Sequence, residues 1–190
     1  MKKLSMIALA LVMVGSLFAY GQANDNEVID TLLTAYSPRA FTTQQVSDTD
    51  IDQIVKSGIK APSARNSQPW KFTVVTNTEL CGKMIPQAGE GEVIIVVSGP
   101  DNEQMLASTS YDCALATENM FIAATALGLG ARIYTGPVGT VNSTLKDSLN
   151  IAEGYRVIAL LRVGHVDPSV DATTAATPRN DAAETVNYVR

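Results

Sequence analysis

The 190-residue sequence predicts an α+β domain, a mixed central sheet flanked by helices. Three features carry that expectation. Val93 to Val97 is an unbroken run of Val and Ile, the pattern of a strand buried on both faces. Tyr111 to Leu129 is a long helical pattern with no charged residue from Met120 onward. Helical and aliphatic-strand patterns alternate along the rest of the chain.

Asn24 to Thr34 predicts a short helix, capped by Asn24 or Asp25, with Val28, Ile29, Leu32 and Leu33 on one face. Ser37-Pro38 stops it. Ser47 starts the next helix, with Asp50 three residues on as a near capping box. Ile51, Ile54, Val55 and Ile59 mark its buried face, and Pro62 ends it. Lys71 to Thr76 is a strand, Glu79 to Ile85 a short helix stopped by Pro86, and Gln87 to Glu92 a Gly-rich loop. The long helix from Tyr111 is apolar nearly all round, so it needs cover on every side, and a subunit interface is a natural source. Gly128 and Gly130 stop it. Ala131 to Thr135 is a strand, Asn142 to Leu149 a short helix, and Val157 to Val163 a strand. Asp171 to Pro178 (DATTAATP) is a low-complexity linker. Thr185 to Val189 is a candidate last strand with no hairpin partner.

Residues 1–23 have the form of a secretory signal. Lys2 and Lys3 precede an uncharged, mostly apolar run from Leu4 to Tyr20, and Gly21-Gln22-Ala23 offers small residues for cleavage. The run falls short of the ~20 residues of a spanning helix. The expected mature domain is therefore 24–190, exported to the periplasm or secreted, with no membrane insertion once the signal is cleaved. Cleavage removes two lysines and no acid, leaving 12 basic against 19 acidic residues and a net charge of −7. An acidic domain without a Lys/Arg cluster lacks the footprint of a nucleic-acid binder. Export permits a disulfide between Cys81 and Cys113, but two cysteines make no framework. Each falls in an apparent helix, where a small buried thiol is the plainer expectation.

Catalytic side chains are sparse. His165 is the only His, which leaves no His-based metal cluster and no well-supported Ser-His or Cys-His nucleophile. It ends a strand pattern and is expected to be a strand-end residue. The carboxylates show no recognisable pair. Such a chain can still be an enzyme if a cofactor carries the chemistry. The place for one is Ala61 to Phe72, APSARNSQPWKF, a loop between a helix and a strand. Gln68 before Pro69 is biased to extended backbone. Trp70 can bury its ring and lock the strand entry. Ser63, Asn66 and Gln68 carry donors and acceptors on short stems. On residue types alone, a capped turn entering a buried strand is the plainer reading of the loop.

That loop closely resembles the signature loop of the nitroreductase family, and the resemblance extends along the mature chain. SPRAF at Ser37 to Phe41 is similar to the family's N-terminal phosphate-binding element. ENMFIAATALGLGARIYTG resembles its central dimer helix and following strand, VIALLRVGH its last core strand, and TPRNDAAETV its C-terminal arm. The resemblance implies an α+β homodimer that holds FMN at its interface and exchanges the C-terminal arm. It assigns Ser37, Arg39 and Arg179 to the FMN phosphate. Pro62, Ser63, Ala64, Asn66 and Gln68 would line the flavin ring. Thr135 and Gly136 would bring backbone N–H groups to the ring nitrogen that accepts hydride. No protein residue is assigned as catalytic and none to a metal.

The implied activity is FMN-dependent reduction of a small electron-poor acceptor, a nitroaromatic or quinone. The donor would be NAD(P)H or, outside the cytoplasm, a periplasmic redox partner. The alternatives are an exported flavin- or ligand-binding protein without turnover and a reductive dehalogenase-like flavoenzyme. Three departures stand out. The family's first phosphate Arg falls on Ala35. Gln87 to Glu92 lacks the Lys found near the flavin in well-studied members, which would lower affinity, alter the redox potential or leave Arg65 to substitute. The stretch from Val97 to Tyr111 is short where larger members insert covering helices, so an open, poorly selective site is expected.

Overall fold

Four strands form the centre of the molecule: β1 (Lys71–Val75), β2 (Val93–Pro100), β3 (Gly130–Tyr134) and β4 (Tyr155–Gly164). They lie in the order β1-β2-β4-β3. The computed structural model describes residues 26–171 and 177–190. The expected signal peptide, the caps Asn24 and Asp25, and residues 172–176 of the expected linker lie outside the described residues.

Every strand pairing is antiparallel, which corrects the expected mixed sheet. The alternation of strand and helix had suggested parallel neighbours. β2 and β3 do run the same way, each antiparallel to β4, but β4 inserts between them and leaves no parallel ladder among the described residues. β2 is buried on both faces, as its sequence requires. Val93, Ile95 and Val97 join one apolar cluster and Ile94 and Val96 another. The first cluster packs on α2 (Asp48–Ile59) and α4 (Leu106–Ala126). The second packs on α3 (Thr78–Met84) and α5 (Val138–Thr144).

The helix starts follow local chemistry. Ser47 Oγ accepts from Asp50 N at 3.1 Å and donates to Asp50 Oδ2 at 2.7 Å, the expected cap of α2. Asn77 caps α3 through Leu80 N at 2.8 Å. α5 begins after Pro137, four residues before the expected start at Asn142. The Asn142 amide is committed elsewhere: it bonds both backbone groups of Val157, at 2.8 and 2.9 Å, beside the β2–β4 register shift.

α4 turns one face to the sheet through Thr109, Cys113, Ala116, Met120 and Ala124. Tyr111 is 75% exposed and Leu115 42%. The expected burial all round is not met within one chain: α4 packs on the sheet and on α2, and its remaining side stays exposed. Gly128, at φ +76°, follows the helix as expected.

The described residues form two compact units, one ending at Leu33 and the other spanning Thr34–Arg190. α1 (Glu27–Thr34) belongs to the first apart from its last residue, and Asn26 Oδ1 caps it. In the second unit, the expected strand at Thr185 to Val189 is absent. Asp181 instead caps a short α6 (Ala182–Thr185), and among the described residues no strand pairs with residues 186–190.

Cys81 and Cys113 are free and buried. Burial, with a smaller contribution from Asp112, pushes the Cys113 thiol up to about 12. The unfolded chain ionises that thiol near 9. Its contribution to stability is therefore complete below pH 9 and is lost as pH rises towards 12. Iodoacetamide at pH 8 should leave Cys113 unmodified in the native protein and modify it fully in denaturant, as peptide mass mapping would reveal. Rapid native alkylation would contradict this burial.

Candidate functional site

The loop between α2 and β1 has an unusual backbone. Ala64–Asn66 forms one 3-10 turn. Arg65, Asn66 and Gln68 have φ of +54°, +56° and +46°, so three residues with Cβ atoms share the left-handed region within four positions. Gln68 thus departs from the extended backbone its place before proline implies. Such backbone persists only where neighbours hold it, and it concentrates at functional sites.

The bonds that hold it are short-range and specific. Asn66 N and Ser67 N donate to the carbonyls of Ser63 and Ala64, each at 3.0 Å. Gln68 N donates to Ser63 Oγ at 3.0 Å. Buried Asp112 of α4 accepts from Ala64 N at 2.9 Å and from Ser67 Oγ at 3.2 Å. Trp70, 8% exposed, stacks at 7° to Phe72 and anchors the entry into β1. Ser63 is therefore committed to the loop itself, while the Asn66 and Gln68 amides and the Pro62 and Ala64 surfaces are exposed.

A second cluster surrounds Ser37 and Arg39. Thr42 N donates to His165 O at 2.8 Å, Asp167 N to Ala40 O at 3.1 Å, and Phe41 bridges Val166. His165 is a strand-end residue, as expected. The Asp171 carboxylate accepts from the backbone N–H groups of Arg39 and Ala40. Burial, then this same carboxylate, pushes the Tyr36 phenol upward. Those two amides are taken, so an anion here would be held by side chains. The exposed Arg39 guanidinium has no carboxylate partner among the described residues, and neither has Arg179. No hydrogen bond or ion pair brings Arg179 to Arg39 within the described chain. Ala35 is half-buried against the main core, so that position supplies packing in place of charge.

Thr135 and Gly136 follow β3. Thr135, with Ile133 and Ile158, lines a 620 Å³ groove against Tyr111, Leu115 and Glu118 of α4. A Cβ at Gly136 would meet no atom of the chain within 4 Å, so no contact among the described residues requires glycine there.

Sequence analysis missed one buried cluster. Glu92 and Arg162 are 6% and 2% exposed. Arg162 Nη2 donates to Glu92 Oε1 at 2.7 Å and to Gln87 O at 2.6 Å, and Nε donates to Glu92 Oε2. Nη1 reaches the Tyr134 hydroxyl at 3.3 Å, and the guanidinium lies 4.5 Å from the Phe41 ring centre. Burial alone would lower the Arg162 pKa, but the Glu92 and Tyr134 hydrogen bonds, with the Glu92 charge, outweigh it and hold the pKa above its usual value. The pair ties Gln87 to Glu92 to the strand beneath. An Arg inside VIALLRVG was the available signal, since a buried guanidinium demands a partner.

The donor set suits a flavin mononucleotide: cations without a carboxylate partner among the described residues for a phosphate, and for the ring edge unobstructed backbone and two exposed amides, of which Gln68 makes one long bond, Nε2 to Asn66 O at 3.5 Å. Comparison with known proteins agrees. The model of the nitroreductase family matches residues 32–91 and 87–165. A protein of Archaeoglobus fulgidus, provisionally named an NADH dehydrogenase/NAD(P)H nitroreductase, is 33% identical over 155 residues, 73% of this chain and 85% of its relative. A nitroreductase with bound FMN from Bacteroides fragilis is 25% identical with a TM-score of 0.68, over 87% of this chain and 100% of that one. Another FMN-bound nitroreductase, from Desulfitobacterium hafniense, shares the fold at 23% identity and a TM-score of 0.71, over 87% and 99%. Fold and matches define a flavin-dependent oxidoreductase. The chain belongs to the nitroreductase family.

Proposed function

We propose that this chain is an exported, FMN-dependent oxidoreductase that takes electrons from NAD(P)H and delivers them to a small electron-poor acceptor, a nitroaromatic or quinone. The observation that carries it is the loop at Ser63 to Gln68, where three left-handed residues leave two amides exposed beside α4. The redox chemistry is the flavin's, and the chain binds and orients it. Asn66 and Gln68 bind the ring's polar edge. Ser37, Arg39 and Arg179 hold the phosphate, Arg179 from the C-terminal arm. Thr135 and Gly136 present backbone N–H groups to the ring. The names of relatives support NAD(P)H as donor. A periplasmic electron carrier is the other donor compatible with export.

A homodimer fits this scheme. α4 exposes Tyr111 and Leu115, and Val186 and Val189 of the arm are exposed. A second copy that covers these faces and exchanges arms would complete the phosphate site. One observation favours a second reading, a flavin-binding protein without turnover: Ala35 packs into the core where the family has its first phosphate Arg. Steady-state oxidation of NADH and NADPH by the FMN-loaded protein, with nitrofurazone and menadione as acceptors, decides between them. Acceptor-dependent turnover is expected. Bound FMN that turns over with neither donor would favour the binding protein.

A further inference from the structure

We infer that Asp112 is the positioning residue of the loop that receives the flavin, a role that rests on the FMN reading above. Asp112 lies in the first half of α4 and is 4% exposed. No Lys or Arg pairs with it among the described residues. Burying a carboxylate without a cation costs stability, so a side chain that only filled this space would be apolar. Both oxygens instead face one loop. Oδ1 accepts the Ala64 N–H at 2.9 Å, and Oδ2 accepts the Ser67 hydroxyl at 3.2 Å.

The two bonds bracket Arg65 and Asn66, whose left-handed backbone is uphill for residues with a Cβ. Strain of this kind relaxes unless both ends are fixed to something rigid. α4 is rigid here, because Cys113, Ala116, Met120 and Ala124 seat it on the sheet with no exposure. Asp112 thus transfers the rigidity of the core to a loop that has no glycine to ease its turn. What it fixes is the exposed placement of Asn66 and Gln68. It acts through the loop, as a positioning residue.

The test joins amide hydrogen exchange at Ala64 to Gln68 with FMN titration. The full set is wild type, Asp112→Ala, Asp112→Asn, Ser67→Ala and the core variant Ile54→Val. Asp112→Ala should speed Ala64 exchange and weaken FMN binding, each by about tenfold or more. Asp112→Asn keeps an oxygen for the Ala64 N–H and should restore most of both. Ile54→Val should lower the melting temperature while leaving loop exchange and FMN affinity in place. The inference is overturned if Asp112→Ala matches wild type, or if its effects only follow its loss of stability. Where Asp112→Ala does not fold, Ser67→Ala decides: weaker FMN binding at an unchanged melting temperature supports the role, and unchanged binding overturns it. Failure of the wild type to bind FMN overturns the cofactor reading instead. Exchange at Ala64, which needs no flavin, then still decides whether Asp112 holds the loop.

Discussion

Glu92→Ala is expected to destabilise the fold by about 3–5 kcal/mol, because it leaves the Arg162 guanidinium buried without its counter-charge. At 2% exposure Arg162 has no water to turn to. Its remaining partners, Gln87 O, Tyr134 Oη and the Phe41 ring, carry no full negative charge. A domain with a total stability of about 5–15 kcal/mol would lose much of it. Removing both charges together, as Glu92→Leu with Arg162→Met, should cost far less, since apolar replacements of buried pairs are often near neutral. Urea unfolding of both variants measures the contrast. A loss below about 1 kcal/mol for Glu92→Ala would mean that water reaches the pair and that it does not hold Gln87 to Glu92 in place.

Arg39→Ala and Arg179→Ala should each weaken FMN binding by about 1–3 kcal/mol, which is about 5- to 150-fold in Kd. The double variant should lose more than either single one. Both guanidiniums are exposed and lack a carboxylate partner in the described chain, so removing them should leave the melting temperature of the apoprotein nearly unchanged. Arg39 carries a second consequence. Its backbone N–H is held by Asp171, so its substitution leaves the local chain path intact and isolates the side-chain contribution. Fluorescence titration with FMN measures the effect. Unchanged affinity in both single variants would remove these residues from the phosphate site.

Local chemistry made much of the fold legible. The β2 run demanded burial on both faces and has it, and the Ser47–Asp50 cap and the Gly128 stop sit where their chemistry places them. Strand direction was not legible in the same way. Alternating elements imply that β2 and β3 run alike, but nothing local says that a later strand will slide between them. Residues Thr185 to Val189 look strand-forming in isolation, yet a strand needs a partner, and Asp181 caps a helical turn that takes in Thr185. The exposed half of the site was visible as an amide-rich loop. Its supports were not, because Asp112, Asp171 and Glu92 act on residues far away in sequence. Arg162 alone left a trace, as a charge inside an apolar strand.

The visible absorption spectrum of the purified mature protein, with FMN added if it emerges colourless, tests the central claim most directly. The expected result is a stoichiometric bound-flavin spectrum that bleaches on reduction and returns when an acceptor is added. A folded, colourless protein that refuses FMN would contradict the account. It would mean that Ala35 and the Lys-free segment from Gln87 to Glu92 have disabled a site whose loop remains.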